Sequence, residues 1–233
     1  RSYSVTGVQT CALPILVATP KHYAVHSGPE KLRHQFDAVV SKKDLYETYL
    51  FAFKECIEKA NAYSIMGAYN RTNGEPCCGS KTLLKEILRD EFKFEGFVVS
   101  DCGAIWDFHA HHKITSGPSE SAAMAVKNGC DLNCGITYKF LNRAVKKKLL
   151  TEQDIDISVK RLMLARMKLG MFDPEESVPY AKIPYEVNNC KKHQELALRA
   201  AEKSIVLLKN ADNFLPISFK NKKIGRASCR ERV

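Results

Sequence analysis

The sequence lacks any run of eighteen or more apolar residues, and this absence excludes a membrane-spanning helix. It also lacks a C-x-x-C pair, which removes the commonest zinc and dithiol redox motifs. No G-x-G-x-x-G stretch follows an apolar run, which argues against a dinucleotide-binding domain. The N-terminal residues do not show the succession of a secretory signal, and the nine cysteines form an odd set. We therefore predict reduced thiols and a cytoplasmic protein.

The composition that remains is that of an ordinary globular protein, with 233 residues, 45% hydrophobic and 27% charged. The formal net charge is +10, so a nucleic-acid partner is one interpretation. However, the basic residues are spread along helical patterns, and residues 146–148 form the only tight lysine cluster before Lys220. A solvated helix end explains this cluster better than a nucleic-acid site does. We predict no nucleic-acid partner and no membrane partner, and the oligomeric state stays open.

Both ends of the sequence differ from its interior. The segments GVQTCALPI (residues 7–15) and IGRASCRERV (residues 224–233) resemble translated sequencing-adapter sequence, which contaminates assembled genomes. Neither end continues the amphipathic pattern of its neighbours. We therefore expect residues 1–15 and 225–233 to be non-native and to pack poorly.

The interior alternates short apolar runs with amphipathic helical patterns. The apolar runs, each interpreted as a strand, are residues 15–19, 63–69, 96–100 and 130–133. A helical pattern follows each of them. Four such units predict parallel strands with helices outside, arranged either as a doubly wound sheet or as a (β/α)8 barrel. A full barrel needs about 250 residues, so a barrel here would be about half present.

The clearest of the predicted helices begins at the capping pair Thr151 and Asp154, and Gly170 stands where a C-terminal capping glycine belongs. One stripe of this helix is expected to hold Ile155, Val159, Leu162, Arg166 and Leu169. Beyond Met171 three prolines indicate a linker, and a last helix then leads to an apolar run that looks like the start of a second domain.

Polar residues follow the predicted strands, at the points where a barrel carries its catalytic groups. These points hold the pairs Lys21-His22 and Asp101-Cys102, the Tyr69-Asn70-Arg71 segment, and Asp131. A carboxylate beside a cation, an imidazole and a phenol suits a polyhydroxylated substrate, whose anomeric carbon the carboxylate attacks or stabilises. The ordinary interpretations stay open at this point: a surface Lys-His pair, a helix-capping aspartate and a core tyrosine.

Four blocks, in this order along the chain, resemble glycoside hydrolase family 3 of the bacterial β-xylosidase and β-glucosidase type. They are PKHYAVHSGPE (residues 20–30), MGAYNRTNGEPCC (66–78), LLKEILRDEFKFEGFVVSDCGA (83–104) and NGCDLNCG (128–135). LLKN at residues 207–210, followed by Leu-Pro, resembles the entry to the family's second domain, an α/β sandwich.

The resemblance implies an α/β fold, a truncated (β/α)8 TIM-type barrel that contains about the C-terminal half. On this basis residues 16–170 are a partial catalytic barrel and residues 171–204 a linker and helix. Residues 205–224 then begin the α/β sandwich domain. The early barrel strands and most of the second domain are expected to lie outside this sequence.

The function that the resemblance implies is an exo-acting retaining β-glycosidase, a β-xylosidase or β-glucosidase that hydrolyses terminal β-linked sugars from oligosaccharides or small glycosides. Asp101 falls at the nucleophile position of the family's S-D motif, with Lys21 nearby to favour its ionised form. The residues expected to bind substrate are Lys21, His22, Tyr69, Met66 and Arg33. No cofactor and no metal are implied.

The sequence also departs from the family pattern. Cys102 stands where many members have Trp, so the usual stacking surface for the sugar is absent at this position. None of the glutamates matches the acid/base residue, which normally comes from the second domain, so the chain alone is expected to be inactive. Two alternatives remain: a β-N-acetylglucosaminidase of the same family, whose Asp/His-type loop we do not find, and a non-catalytic carbohydrate-binding barrel.

The cysteines follow the strand ends as well. In the complete enzyme we expect several of these residues to lie around the mouth of the site: Cys77, Cys78, Cys102, Cys130 and Cys134. Their role is expected to be structural, because the mechanism needs two carboxyls and no thiol. A metal site built from Cys130 and Cys134 with the nearby histidines 109, 111 and 112 is the alternative. Its spacing matches no common zinc pattern.

Overall fold

The computed structural model describes residues 16–26 and 28–217, so the two expected non-native segments lie outside the described residues. The chain divides into two units, of which the first ends at Lys182 and the second begins at Ile183. The first unit is a mixed α/β structure with parallel strands and surrounding helices. Within the described ranges, none of the helices combines the length and the apolar character that crossing a membrane requires.

The described residues contain short strands joined by helical segments. The strands are β1 Lys21–Tyr23, β2 Asp37–Ala38, β3 Ser64–Gly67, β4 Arg71–Thr72, β5 Glu75–Pro76 and β6 Phe97–Ser100. The α-helices are α1 Lys42–Asp44, α2 Phe51–Glu58, α3 Asp107–Ala110, α4 Pro118–Asn128, α5 Leu141–Lys146, α6 Glu152–Lys168 and α7 Lys191–Ser204. Two segments are π-helical, Leu45–Tyr49 and Thr82–Glu91. The 3₁₀ turns are Glu30–Leu32, Cys77–Gly79, Thr137–Phe140, Glu175–Ser177, Tyr185–Val187 and Ala211–Asn213.

The main sheet consists of parallel strands in the order β1-β3-β6, which is also their order along the chain. Leu132 extends this sheet by a parallel bridge to Val99, so the fourth expected strand is reduced to one bridged residue. The first expected strand, over residues 15–19, is displaced to Lys21–Tyr23. The carbonyl of Pro20 accepts a hydrogen bond from the Met66 amide. The pairing of β1 with β3 therefore begins at Pro20, where we expected the first strand to end.

One face of this sheet is buried by helices. Ile65 and Val98 are paired in register and fully buried in the same apolar cluster. The helix Thr82–Glu91 adds its four buried residues to that cluster, namely Leu83, Leu84, Ile87 and Leu88. Each such burial contributes about 1.5–3 kcal/mol. Met66 and Val99, paired in the next row of the ladder, lie on the opposite face and stay half-buried.

The helix caps follow the sequence closely, whereas the face of α6 does not. Thr151 and Asp154 form the predicted reciprocal capping box, and Gly170 adopts a positive φ of 69° after the helix. The expected stripe is confirmed only in part. Ile155, Leu162 and Leu169 are half-buried, and Ile155 packs against a buried cluster. Val159 is 45% exposed, however, and Ser158 and Ala165 are the buried positions. Ser158 donates a hydrogen bond to a buried carboxylate at the sheet, so a polar contact orients the helix.

The second unit contains α7 and an extended apolar segment. No residue of α7 is buried, although the helix is amphipathic. Its exposed apolar side chains include Leu196 and Leu198, and the following residues 205–208 are exposed as well. A helix with this pattern normally packs its apolar side against another element.

Candidate active site

Asp101 directly follows β6 and lies at the carboxyl end of the parallel sheet. Its amide donates a hydrogen bond to the carbonyl of Gly67, the last residue of β3, at 3.2 Å. Its Oδ1 accepts a hydrogen bond from the Cys102 amide at 2.7 Å. The side chain is only 14% exposed. The predicted nucleophile is therefore held by the backbone on both sides, with one carboxylate oxygen left for other contacts.

That second oxygen is contacted by His22 from β1. The His22 Nε2 lies 3.1 Å from Asp101 Oδ2. Burial lowers the pKa of His22 below its usual 6.5, and the negative charge of Asp101 only partly opposes this effect. At neutral pH the contact is therefore between the carboxylate and an uncharged imidazole, and it is not an ion pair. Among residues 16–26 and 28–217, Asp101 contacts His22 and forms no ion pair with Lys21, the residue expected beside it.

Tyr69 and Arg33 form one wall beside Asp101. The Tyr69 hydroxyl donates a hydrogen bond to the Cys102 carbonyl at 2.9 Å, which secures the backbone after the carboxylate. Burial raises the pKa of Tyr69, and the charge of Asp101 raises it further, so the phenol is neutral. The Arg33 guanidinium carbon lies 5.0 Å from the centre of the Tyr69 ring, within cation–π range. The structure thus brings Arg33, a residue from a distant loop, to the predicted site.

Met66 lies on the same face of the sheet as Asp101. Its Cα pairs with Val99 in the β3-β6 ladder, and Asp101 is two residues beyond Val99. Side chains two residues apart on a strand share a face. Met66 is half-buried on this face, which suits a residue that shapes one side of a binding site.

The cysteines at the strand ends differ from the prediction of reduced thiols. Cys102 and Cys134 form a disulfide with Cα atoms 4.4 Å apart, although 32 residues separate them in sequence. Cys102 lies just after β6, and Cys134 lies just after Leu132, the residue bridged to that strand. The Gly103 amide also donates a hydrogen bond to the Cys134 carbonyl at 2.7 Å. Cys77, Cys78 and Cys130 are buried free thiols. The disulfide therefore joins the loop that carries Asp101 to the next loop.

Asp131, the fourth strand-end candidate, does not join this site. Its fully buried carboxylate accepts hydrogen bonds from Arg89 at 3.0 Å, Arg161 at 2.9 Å, Ser158 at 3.0 Å and the Val98 amide at 2.9 Å. Burial, followed by the charge of Arg161, lowers the pKa of Arg89 to about 10, which leaves it cationic at neutral pH. Asp131 is therefore a structural anchor between the sheet and two helices.

Three residues near Tyr69 were not identified together from the sequence: His34, Asp107 and His111. The His34 ring lies 4.6 Å from the Tyr69 ring. Asp107 accepts hydrogen bonds from the Nδ1 atoms of His34 and His111, each at 2.7 Å. The spacing of Asp107 and His111, four residues apart in a helical pattern, was a usable signal, whereas nothing local indicated His34. The metal alternative based on Cys134 is not supported, since that sulfur is in the disulfide.

Comparison with known proteins gives consistent relatives. A family model described as the glycosyl hydrolase family 3 N terminal domain matches residues 2–165. The chain is 45% identical over 213 residues to a xylan 1,4-beta-xylosidase of Xylanibacter ruminicola, covering 90% of this chain and 25% of the relative. It is 39% identical over 209 residues to beta-D-xylosidase 1 of Arabidopsis thaliana, covering 87% of this chain and 27% of the relative.

Solved structures agree with these sequences. A GH3 exo-beta-xylosidase (XlnD), in complex with a xylobiose aziridine activity-based probe, matches with a TM-score of 0.81 and 33% identity over 88% of this chain and 27% of that one. A beta-glucosidase from Listeria innocua in complex with glucose matches with a TM-score of 0.76 and 28% identity, over 87% and 28%. The chain spans about a quarter of the length of its curated relatives. Because the family model covers more than half of the chain, the protein belongs to glycosyl hydrolase family 3.

Proposed function

We propose that this chain is the nucleophile-bearing part of an exo-acting retaining β-glycosidase, a β-xylosidase or β-glucosidase. The observation that carries the proposal is the Asp101 carboxylate at the end of β6, held by the Cys102 amide and by His22 in the S-D motif. The names of the relatives support the choice of substrate class, because they include xylosidases and glucosidases. The substrate is a terminal β-linked sugar on an oligosaccharide or a small glycoside, and no cofactor takes part.

In the proposed mechanism Asp101 attacks the anomeric carbon and displaces the leaving group, which forms a covalent glycosyl ester. A carboxylic acid outside this chain gives its proton to the leaving oxygen. The resulting carboxylate then takes a proton from water, and this water cleaves the ester and releases Asp101. His22 contacts the second oxygen of Asp101 and so helps to orient the attacking carboxylate. Lys21, Tyr69, Met66 and Arg33 complete the sugar-binding walls.

We further propose that residues 16–170 are about the C-terminal half of a (β/α)8 barrel. The sequential strand order β1-β3-β6, extended by Leu132, supports this interpretation, because a doubly wound sheet reverses its order at a switch point. The half-buried Met66 and Val99 support it too, since they lie on the face that would be the barrel interior. Residues 171–204 are then a linker and helix, and residues 205–224 begin an α/β sandwich domain.

The isolated 233-residue chain is expected to self-associate or to behave as a molten globule. It leaves strand edges and apolar surfaces that a complete barrel covers, and α7 leaves Leu196 and Leu198 exposed. Light scattering after size-exclusion chromatography should detect the association, and dye binding should report the exposed apolar surface. The comparison protein is the completed enzyme, defined as this chain joined to the remaining barrel and second domain of its native gene. A soluble monomer with one sharp melt would contradict the truncated-barrel proposal.

The activity itself is tested in the completed enzyme with β-xyloside, β-glucoside and β-N-acetylglucosaminide substrates. We expect hydrolysis of the β-xyloside or of the β-glucoside. NMR should show that the first-formed sugar is the β-anomer, because two displacements retain configuration. The isolated chain should show no turnover. An α-anomer as first product would refute the retaining mechanism. Binding of xylo-oligosaccharide without turnover would favour the non-catalytic carbohydrate-binding barrel. Preference for the β-N-acetylglucosaminide would favour the β-N-acetylglucosaminidase.

A further inference from the structure

Asp107 is a buried carboxylate held between two imidazoles, outside the contacts of Asp101. Asp107 is only 3% exposed. One of its carboxylate oxygens lies 2.7 Å from Nδ1 of His34, and the other lies 2.7 Å from Nδ1 of His111. In the described ranges no lysine or arginine forms an ion pair with it. A buried anion without a permanent cation is costly, and binding of a cation would compensate that cost.

The three side chains are arranged as ligands of one ion. Asp107 begins α3, and His111 directly follows that helix, one turn further and on the same side. His34 reaches the pair from the loop after Glu30–Leu32. Their ligand atoms all lie within 4.8 Å of one another. A tetrahedral Zn²⁺ with bonds of about 2.0–2.2 Å separates its ligand atoms by roughly 3.3 Å, so small movements suffice. His111 is 39% exposed and free to make them.

We propose that His34, Asp107 and His111 bind a divalent transition-metal ion of the Zn²⁺ type, with the remaining coordination positions taken by water. Two imidazoles and one carboxylate suit Zn²⁺, Ni²⁺ or Cu²⁺, whereas Mg²⁺ and Ca²⁺ prefer oxygen ligands alone. The glycosidase mechanism uses no metal, so this site is additional to it and does not depend on it. Its position is adjacent to the substrate-binding wall, because the His34 ring packs edge-on against Tyr69 at 4.6 Å.

The test is a calorimetric titration of ZnCl₂ into the untagged, chelator-treated completed enzyme, because the isolated chain is expected to self-associate. We expect one equivalent to bind, with the three side chains as its ligands. His111→Ala, at a partly exposed position, should weaken binding by at least about 100-fold, because loss of a ligand exceeds the usual cost of losing a residue that only orients one. Asp107→Asn should weaken it similarly. The matched control is His109→Gln, which keeps a hydrogen-bonding group next to Ser121 and lies outside the cluster.

A spectroscopic measurement makes the result independent of stability. Co²⁺ at a site with two imidazoles and a carboxylate gives visible absorption bands, and these should appear in the parent chain and in His109→Gln but not in His111→Ala. Absence of Zn²⁺ binding in the completed enzyme, or equal affinity in the parent and in His111→Ala, would overturn the proposal. Loss of binding in His109→Gln alone would also overturn it, because it would assign the metal to a different group.

Discussion

Asp101→Asn in the completed enzyme is expected to lower kcat by at least about 1000-fold, because a neutral amide cannot form the glycosyl ester. The fold should survive, since the asparagine oxygen still accepts the hydrogen bond from the Cys102 amide, and the asparagine nitrogen takes the place of the oxygen that faces the uncharged His22 ring. Steady-state hydrolysis of an aryl β-glycoside measures the loss. Asp156→Asn, on an exposed position of α6, is the matched control and should leave kcat unchanged.

Covalent trapping identifies the residue directly. A 2-fluoro glycoside slows the second displacement more than it slows formation of the ester, so the intermediate accumulates and peptide mass mapping locates it. We expect the label on the peptide that contains Asp101 and none in Asp101→Asn. A label on any other carboxylate, or near-normal turnover of Asp101→Asn, would defeat the assignment of the nucleophile.

The second large effect is expected on stability, at Asp131. Asp131→Asn should lower the free energy of unfolding by about 3–5 kcal/mol, because it leaves two cations without their shared, fully buried counter-charge. Arg89 and Arg161 both reach that carboxylate, and Arg89 is itself only 12% exposed. These two arginines connect the helix Thr82–Glu91 and α6 to the sheet through Asp131, so loss of the carboxylate loosens both helices.

Urea unfolding of the completed enzyme, followed by tryptophan fluorescence and circular dichroism, measures this change. Asp156→Asn is again the control, and as an exposed substitution it should stay within about 0.5 kcal/mol. The kcat of folded Asp131→Asn should remain close to that of the parent, which distinguishes a structural anchor from a catalytic group. A destabilisation below about 1 kcal/mol would mean that the two arginines find other partners. A large loss of kcat with unchanged stability would return Asp131 to the active site.

The sequence by itself determined the features that depend on neighbouring residues. The capping box at Thr151 and Asp154, the C-terminal Gly170 and the buried side of Thr82–Glu91 all follow from spacings within one or two helical turns. The apolar run that becomes β6 followed from the same kind of local pattern. The ordered blocks identified the family, and the position after β6 selected Asp101 as the candidate nucleophile.

Only the tertiary structure decided which of the strand-end residues meet. It paired Asp101 with His22 rather than Lys21, and it placed Asp131 in a structural contact. It also joined Cys102 to Cys134, and it brought His34 to a carboxylate 73 residues away. The physical reason is common to all of these contacts. A side chain's partners at a sheet edge depend on which strands are neighbours and on where each loop turns, and no local pattern in the sequence encodes either property.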